Sequence, residues 1–332
     1  MISLLDTLPK VTASQRKVLL SAPRTAEAHR AMMADVLAMN AVQLGGAASQ
    51  DSLPTEFTVA AWNVERCLFP QDSAEHLAQL SADVVLLSEV DHGMARTGQR
   101  HTTEEVAEAL GMRYAYGVEF FEMDLGGPTE RAYCTDDFNA LGWHGNAVLS
   151  NVPLDKVTLI RLDDHGHWFA SDNGAADPDQ PRLGGRMAIA AVLPSTQGDI
   201  CVVSTHLESN ANPAHRHRQF EILLDALDGF APDMPVLIGG DLNTGNHIPP
   251  DFDHRDETLF ALGESRGYDW SFTAEGMTTR PSLITPHPDR EMKLDWIAAR
   301  DMQCLDKGVL SSIDKNGRPL ADHDCVWAKV SL

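Results

Sequence analysis

The sequence predicts an α/β fold in which mixed β-sheets are flanked by helices, with a helical extension at the N-terminus. Three observations lead there. From Glu56 onward, short apolar, β-rich runs alternate with helical segments and long polar loops. The strand candidates follow one another in both helix-linked and hairpin-like order, which calls for a mixed sheet with helices outside it. Residues 1–55 show neither feature; they carry helical spacing and then a polar linker.

In the extension, Ser14–Leu20 and Thr25–Leu44 have helical periodicity, with Ala28, Met32, Val36 and Met39 on one face. Thr25 serves as an N-cap and Gly45-Gly46 stops the helix. Residues 47–55 read as a linker, so the chain divides into an extension (1–55) and a main domain (56–332). The extension is expected to pack on the main domain or to exchange between copies in a homo-oligomer. In the main domain the strand candidates are Phe57–Trp62, Val84–Ser88, Ala147–Ser150, Met187–Leu193, Ile200–Thr205, Val236–Gly239, Asp295–Ala299 and Cys325–Val330. Helices are expected at Ser73–Leu80, Thr103–Leu110, Pro213–Leu227 and Asp256–Arg266. Two long polar insertions, Glu122–Gly142 and Arg161–Gly185, have the length of lids or binding loops.

Composition narrows the classes. Of 332 residues, 43% are hydrophobic, enough for a large core and too many for a disordered chain. No run approaches the roughly 20 apolar residues of a membrane span. The first residues lack a basic segment followed by an apolar one, so a cytoplasmic location is expected. Five scattered cysteines make neither a disulfide framework nor a thiolate zinc site. Lys and Arg number 26 against 48 Asp and Glu, a net charge of −22. A field of that sign repels polyanions, so nucleic acid is not expected as a partner.

The site candidates come from the strand ends. Strand after strand closes on an acid, amide or imidazole: Asn63 and Glu65 in WNVE, Glu89 in LLSEVD, Asn146 in HGNAVLS, His206 and Glu208 in STHLES, Asp241 and Asn243 in GGDLNT, Asp295 in KLDWIA, and Asp322 and His323 in ADHDCVW. Singly, each is more often a turn residue or a cap. Together, adjacent strands bring them to one rim, where carboxylates repel unless a hard cation sits among them. Oxygen ligands without a Cys cluster favour Mg²⁺ or Mn²⁺ over zinc. Asp241 and Asn243, two apart in extended chain, project to one side.

Taken in order, these segments resemble the endonuclease/exonuclease/phosphatase superfamily, over about Phe57 to Leu332. The resemblance implies a four-layered α/β sandwich: two mixed sheets face to face, helices outside. It also implies a metal-dependent phosphoester hydrolase, with Glu89 as principal metal ligand helped by Glu65 and Asp322. Asp241 is implied to activate the attacking water, and Asn243, Asn63 and Asn146 to donate to phosphate oxygens. His323, held by Asp295, is implied to stabilise phosphoryl charge, and His206 to make a second phosphate or leaving-group contact. The substrate expected is a small phosphorylated one, a phosphomonoester or phosphodiester of a sugar, polyol or lipid headgroup; a nuclease such as an abasic-site endonuclease, or a binding protein that has lost its chemistry, are the rival readings. Asp324, next to His323, departs from the family pattern by adding negative charge.

Other residues stay open between two readings. Arg186 either reaches phosphate or braces Glu89, or makes a surface ion pair. Arg96, Arg100 and His101, just after Glu89, either touch substrate or do not. The run His215-Arg216-His217-Arg218 is an anion site or a solvated face. His165, His167 and Trp168 read as a substrate-specificity loop, an H-x-H pair being too weak a pattern for zinc.

Overall fold

The computed structural model describes residues 2–171, 181–246, 253–287 and 291–332. In chain order its elements are β1 (Ser3–Leu5), α1 (Ala13–Ser21), α2 (Ala26–Asp35), β2 (Ala41–Gly46), β3 (Glu56–Arg66), α3 (Pro70–Leu77) and β4 (Val84–His92). Then come α4 (Thr102–Leu110), β5 (Arg113–Glu122), α5 (Pro128–Arg131), β6 (Trp143–Ser150), β7 (Lys156–Arg161), β8 (Arg182–Gly184), β9 (Met187–Leu193) and β10 (Ile200–His206). The last are α6 (Pro213–Phe230), β11 (Val236–Asp241), α7 (Leu259–Ser265), β12 (Asp295–Arg300), β13 (Gln303–Leu310) and β14 (Cys325–Ser331).

The strands form two mixed sheets. The first runs β1-β2-β5-β6-β4-β3-β14-β13, with β8 also paired to β5, and the second runs β12-β11-β10-β9-β7. Alternation along the strands builds the layers, because successive side chains face opposite sides. On β3, Val59 and Ala61 point between the sheets, where they meet Leu86, Ile189, Val202, Leu237 and Ile297. Ala60 and Trp62 point outward into the cluster that holds Leu77 of α3 and Val106 and Ala107 of α4. On the far side, Val203 and Ile238 pack under Phe220, Leu223 and Leu227 of α6 and Leu259 of α7. Helices, sheet, sheet, helices: the four layers are those the sequence predicts.

Two glycines set how closely the layers meet. A Cβ on Gly239 would stand 2.8 Å from Leu86 Cδ1, across the two sheets. Gly240 has φ +147°, and a Cβ there would lie 1.9 Å from the Thr205 carbonyl on the neighbouring strand. The pair lets β11 carry Asp241 to the rim at close sheet spacing.

The extension contains its helices and more. Thr12 and Thr25 cap α1 and α2, accepting from the amides of Gln15 and Ala28. The second helix ends at Asp35, however, and Ala41–Leu44, read from sequence as helical, belong to a strand, Ala41–Gly46, antiparallel to β5 with β1 parallel beside it. Val42 and Leu44 alternate as strand residues do, but Gly45-Gly46 after them reads equally as a helix stop; pairing with β5 decides. Leu19, Met32, Val36 and Met39 pack into the core of their own chain. Buried His29 on α2 meets both the carbonyl and the amide of Gly184 on β8 (3.0 and 3.2 Å), tying the extension to the sheet. Among the described residues no helix is long and apolar enough to cross a membrane. Of the Arg161–Gly185 insertion, residues 172–180 lie outside the described residues.

Gly239→Ala should cost about 1–3 kcal/mol, the usual penalty of overpacking a close contact; an unchanged urea midpoint would show that the sheets can separate freely. Acid should also weaken the fold. His29 and His92 are held down to about 4, by burial first, whereas an unfolded histidine titrates near 6.5. Between those values the unfolded chain binds more protons. Their contribution is therefore complete above pH ~6.5 and is lost as pH falls toward 4. Unfolding free energies measured from pH 7 to 4 should fall, and less steeply in His92→Phe; an identical slope in that variant would refute the assignment.

Candidate active site and metal centre

Irregular backbone at the ends of β3 and β4 aims the first group of side chains. Register with β4 holds through Asn63–Ser88 and resumes at Arg66–Val90. There and just after it, Glu65, Arg66 and Cys67 take φ of 41°, 74° and 57°, and Glu89, in a second slip opposite β6, takes 58°. Such conformations cost about 1–3 kcal/mol each and persist where contacts over-determine them. Here the Glu65 amide donates to Asn63 Oδ1 at 3.0 Å. The second sheet supplies one straight rung: His206 lies opposite Asp241, and Asp241 opposite Asp295.

The two rims meet at Asn63. Its buried amide donates to Glu89 Oε1 and to Asp241 Oδ2, both at 3.1 Å. Asp241 Oδ1 accepts the Asn243 amide at 2.8 Å. Its Oδ2 faces His206 Nε2 at 3.5 Å and His323 Nε2 at 3.7 Å. His323 Nδ1 pairs with Asp295 Oδ2 at 2.8 Å, and that oxygen also accepts the Thr278 hydroxyl at 2.6 Å. Burial alone would lower the His323 pKa, but Asp295, Asp241 and Asp322 outweigh it and push it up to about 10. His323 therefore stands as an imidazolium at neutral pH.

His206 is set from behind. Arg186 and Glu119, both buried, pair at 2.7 Å; Arg186 contacts the imidazole at 2.8 Å and Glu119 contacts Nδ1 at 3.3 Å. Glu208 holds the other side of Arg186 at 3.3 Å. Burial alone would raise the Glu119 pKa, but His206 and Arg186 hold it at about 2. Glu119 was not a sequence candidate. It lies mid-strand in RYAYGVEFFE, and the signal available was an acid on an otherwise apolar and aromatic strand.

Arg66 and Glu130 were missed as well. Arg66 forms a short ion pair with Glu89 and reaches Glu130 at 2.9 Å. Glu130 comes from the Glu122–Gly142 insertion, so that segment does more than wall the site.

The remaining candidates separate cleanly. Arg96 does not face the pocket: it is buried one ion pair behind Arg66, bonded twice to Asp91 (2.8 Å each), to Glu122 (2.7 Å) and to Glu130 (2.8 Å). A guanidinium so close in sequence to Glu89 is recruited by four buried acidic oxygens, and the chain folds back to supply them. Arg100 donates to the carbonyls of Thr97 and Leu68, both at 2.8 Å. Asn146 gives an amide hydrogen to the Met187 carbonyl at 3.2 Å, while its Oδ1 is buried without a partner. Asn243 is tied within its loop, donating to Leu207 O at 3.1 Å and accepting from Asn246 at 2.6 Å. Asp324 turns away from the site into a bidentate pair with Arg280 (2.5 and 2.7 Å), which cancels the extra charge. Arg216 is fully buried against Glu257 at 2.5 Å, part of the scaffold of α6.

Carboxylates of Glu65, Glu89, Asp241, Asp295 and Asp322 thus share one rim. Glu65 accepts the hydroxyls of Ser282 (2.6 Å) and Thr285 (2.7 Å), yet burial, and then Asp322, pushes its pKa up to about 7. Acids that crowd each other in this way fit a divalent cation. Asp241, Asp295 and His323 place one ligand-type atom each within 4.8 Å of one another, although His323 as an imidazolium has no free lone pair. The oxygen-rich donor set suits a hard ion.

Removing Glu119 should leave Arg186 buried and unpaired. Glu119→Ala is expected to cost about 3–5 kcal/mol, read as a lowered urea midpoint; a loss below about 1 kcal/mol would mean that Arg186 finds another partner.

Comparison with known proteins agrees with this geometry. Residues 60–323 match the model of the Endonuclease/Exonuclease/phosphatase family. The uncharacterized protein YbhP of Escherichia coli (strain K12) is 28% identical over 192 residues; the match spans 58% of this chain and 64% of YbhP. The endonuclease/exonuclease/phosphatase structure from Beutenbergia cavernae DSM 12333 superposes with a TM-score of 0.60 at 18% identity, covering 83% of this chain and 72% of that one. D. rerio TDP2 complexed with single strand DNA product superposes with a TM-score of 0.54 at 16% identity, covering 83% and 99%. That last likeness corrects the expectation that nucleic acid is not a partner. The same fold accommodates a DNA strand in TDP2, and net charge, a sum over the whole surface, does not describe the potential at one rim. With the family's span covered from β3 to His323 and its acid, amide and imidazole groups gathered at one rim, the chain belongs to the endonuclease/exonuclease/phosphatase family.

Proposed function

We propose that this protein is a Mg²⁺- or Mn²⁺-dependent phosphoester hydrolase that engages one phosphoester at a time, with a phosphodiester or phosphate at a nucleic-acid end as its first substrate class. The observation that carries the reading is Asp241 Oδ2, held by Asn63 and faced by both His323 and His206. A carboxylate oxygen set among proton donors is what an in-line attack by water requires: a base on one side, charge stabilisation on the other.

In this reading Asp241 orients the water and takes its proton. His323, fixed by Asp295, donates to a phosphoryl oxygen as charge develops there. His206, held by Glu119 and Arg186, donates to a second oxygen or to the leaving group. Asn63 keeps the base and Glu89 in register. Glu89, Glu65 and Asp322 would hold the divalent ion, which when bound supplies Lewis-acid neutralisation of the phosphoryl charge. His323 and Asp295 are left to proton chemistry because each already satisfies the other.

Support for a nucleic-acid substrate comes from the fold shared with TDP2, whose structure holds a single strand DNA product. Support for one phosphate at a time comes from the arginines. Arg96, Arg186 and Arg216 are committed to buried ion pairs and offer nothing to a track of phosphates. The same observation favours a second reading, a small sugar, polyol or lipid-headgroup phosphoester.

Three results test this. EDTA-treated protein should regain activity with Mg²⁺ or Mn²⁺; full activity in a verified metal-free preparation would remove the mechanism. Asp241→Asn and His323→Ala should each lower kcat by at least ~100-fold with unchanged circular dichroism, and near-normal turnover of folded Asp241→Asn would place the base elsewhere. A panel of end-blocked and phosphorylated single strands, abasic duplex, bis-p-nitrophenyl phosphate, sugar phosphates and glycerophosphodiesters separates the readings. Turnover of strand ends abolished by Glu89→Ala supports the first; turnover confined to the small esters supports the second.

A further inference from the structure

The loop after β7 and the first turn of α6 bring three histidines together outside the acidic rim. His165, His167 and His215 each offer a ring nitrogen, and the three nitrogens lie within 4.8 Å of one another. The ring centroids are 5.3 to 6.2 Å apart. Imidazoles do not gather for apolar packing alone, since each buried nitrogen without a partner costs free energy.

Their hydrogen bonding is that of ligands. His167 Nε2 meets the Asn210 carbonyl at 2.8 Å. A carbonyl only accepts, so the proton sits on Nε2 and the lone pair on Nδ1; a metal-binding histidine is oriented by just such a bond through its other nitrogen. His215 Nε2 is buried with no hydrogen-bond partner, and so is Asp163 Oδ1, two residues before His165.

We propose that His165, His167 and His215 form a second metal site, for a borderline transition ion of the zinc class, distinct from the hard-cation rim. Three imidazoles with a fourth position open to water or to Asp163 make a tetrahedral set. Ions of this class prefer imidazole nitrogen, whereas Mg²⁺ prefers oxygen. At the usual Zn–N length of about 2.0–2.1 Å the nitrogens stand about 3.4 Å apart, so the loop has only to draw in slightly.

Its place in the fold assigns its use. The loop also carries Trp168, whose Nε1 donates to Glu208 Oε2 at 2.9 Å, and Glu208 holds Arg186 behind His206. An ion joining the loop to α6 fixes the wall of the phosphoester site. The histidines are positioning residues in that respect, and the inference does not depend on which phosphoester is cleaved.

The test uses the full chain, stripped with chelator and kept in excess Mg²⁺ to occupy the oxygen site. Co²⁺ titration is expected to give one ion per chain with the intense visible bands of tetrahedral coordination, displaced by Zn²⁺. His167→Gln and His215→Gln should each weaken binding at least about 100-fold, beyond the effect of losing a supporting hydrogen bond, while Asp241→Asn binds as the parent does. On Zn²⁺ addition, amide exchange should slow in residues 163–171. If one histidine variant fails to fold, His165→Gln gives the same readout. No tetrahedral spectrum at micromolar Co²⁺, binding unchanged in the histidine variants, or binding lost in Asp241→Asn would each overturn the proposal.

Discussion

The constraint on which the rest depends is electrostatic. Five carboxylates stand on one nearly dry rim, where each pair of like charges is costly unless donors or cations lie against them. Asn63 satisfies Glu89 and Asp241 together. His323 neutralises Asp295, Ser282 and Thr285 cap Glu65, and Arg66 lies on Glu89. These contacts come from six separate stretches of chain. The fold is organised to bring them there, with two sheets close enough at Gly239 for one amide to span both.

Behind the rim lie two supports of similar logic. Arg96, among Asp91, Glu122 and Glu130, holds the Glu89 side through Arg66; Arg186, between Glu119 and Glu208, holds the His206 side. Each is a buried guanidinium shared by several acids. Such clusters add little to net stability over well-packed apolar residues, but they punish loss of any one member. Their value here is geometric: they set side chains whose angles the chemistry needs. The insertions feed both supports, Glu130 from one and Trp168 from the other, so segments that look like additions to the fold help to hold the rim.

Charge explains less about partners than it first suggests. A total of −22 is spread over a large surface, and much of the basic side is spent internally, on Arg96, Arg186, Arg216 and Arg280. What a phosphate group meets is the local sum at the rim, where an imidazolium, a guanidinium and a bound cation would all count. TDP2, of the same fold, takes a DNA strand, and bulk charge alone gives no ground for excluding one here.

Much of this was legible in the sequence. Apolar alternation marked the strands of both sheets, and the polar residue closing each strand marked the rim, because strand ends on one side of a sheet must meet. Glu65, Glu89, Asp241, Asp295, Asp322 and His323 could be named for that reason. Tertiary contact decided the rest. Ala41–Gly46 becomes a strand only because β5 offers an edge, and a sheet pairing of that kind has no local signal. Arg96 and Arg186 look alike in sequence as basic residues beside site acids, yet one is drawn one ion pair back and the other stands behind His206. The choice is set by which buried acids lie within reach. Glu119 and Glu130 become supports, and Asp324 becomes harmless, through partners 44 to 87 residues away. Periodicity reports which face a residue takes; only the packed chain reports which charge it finds there.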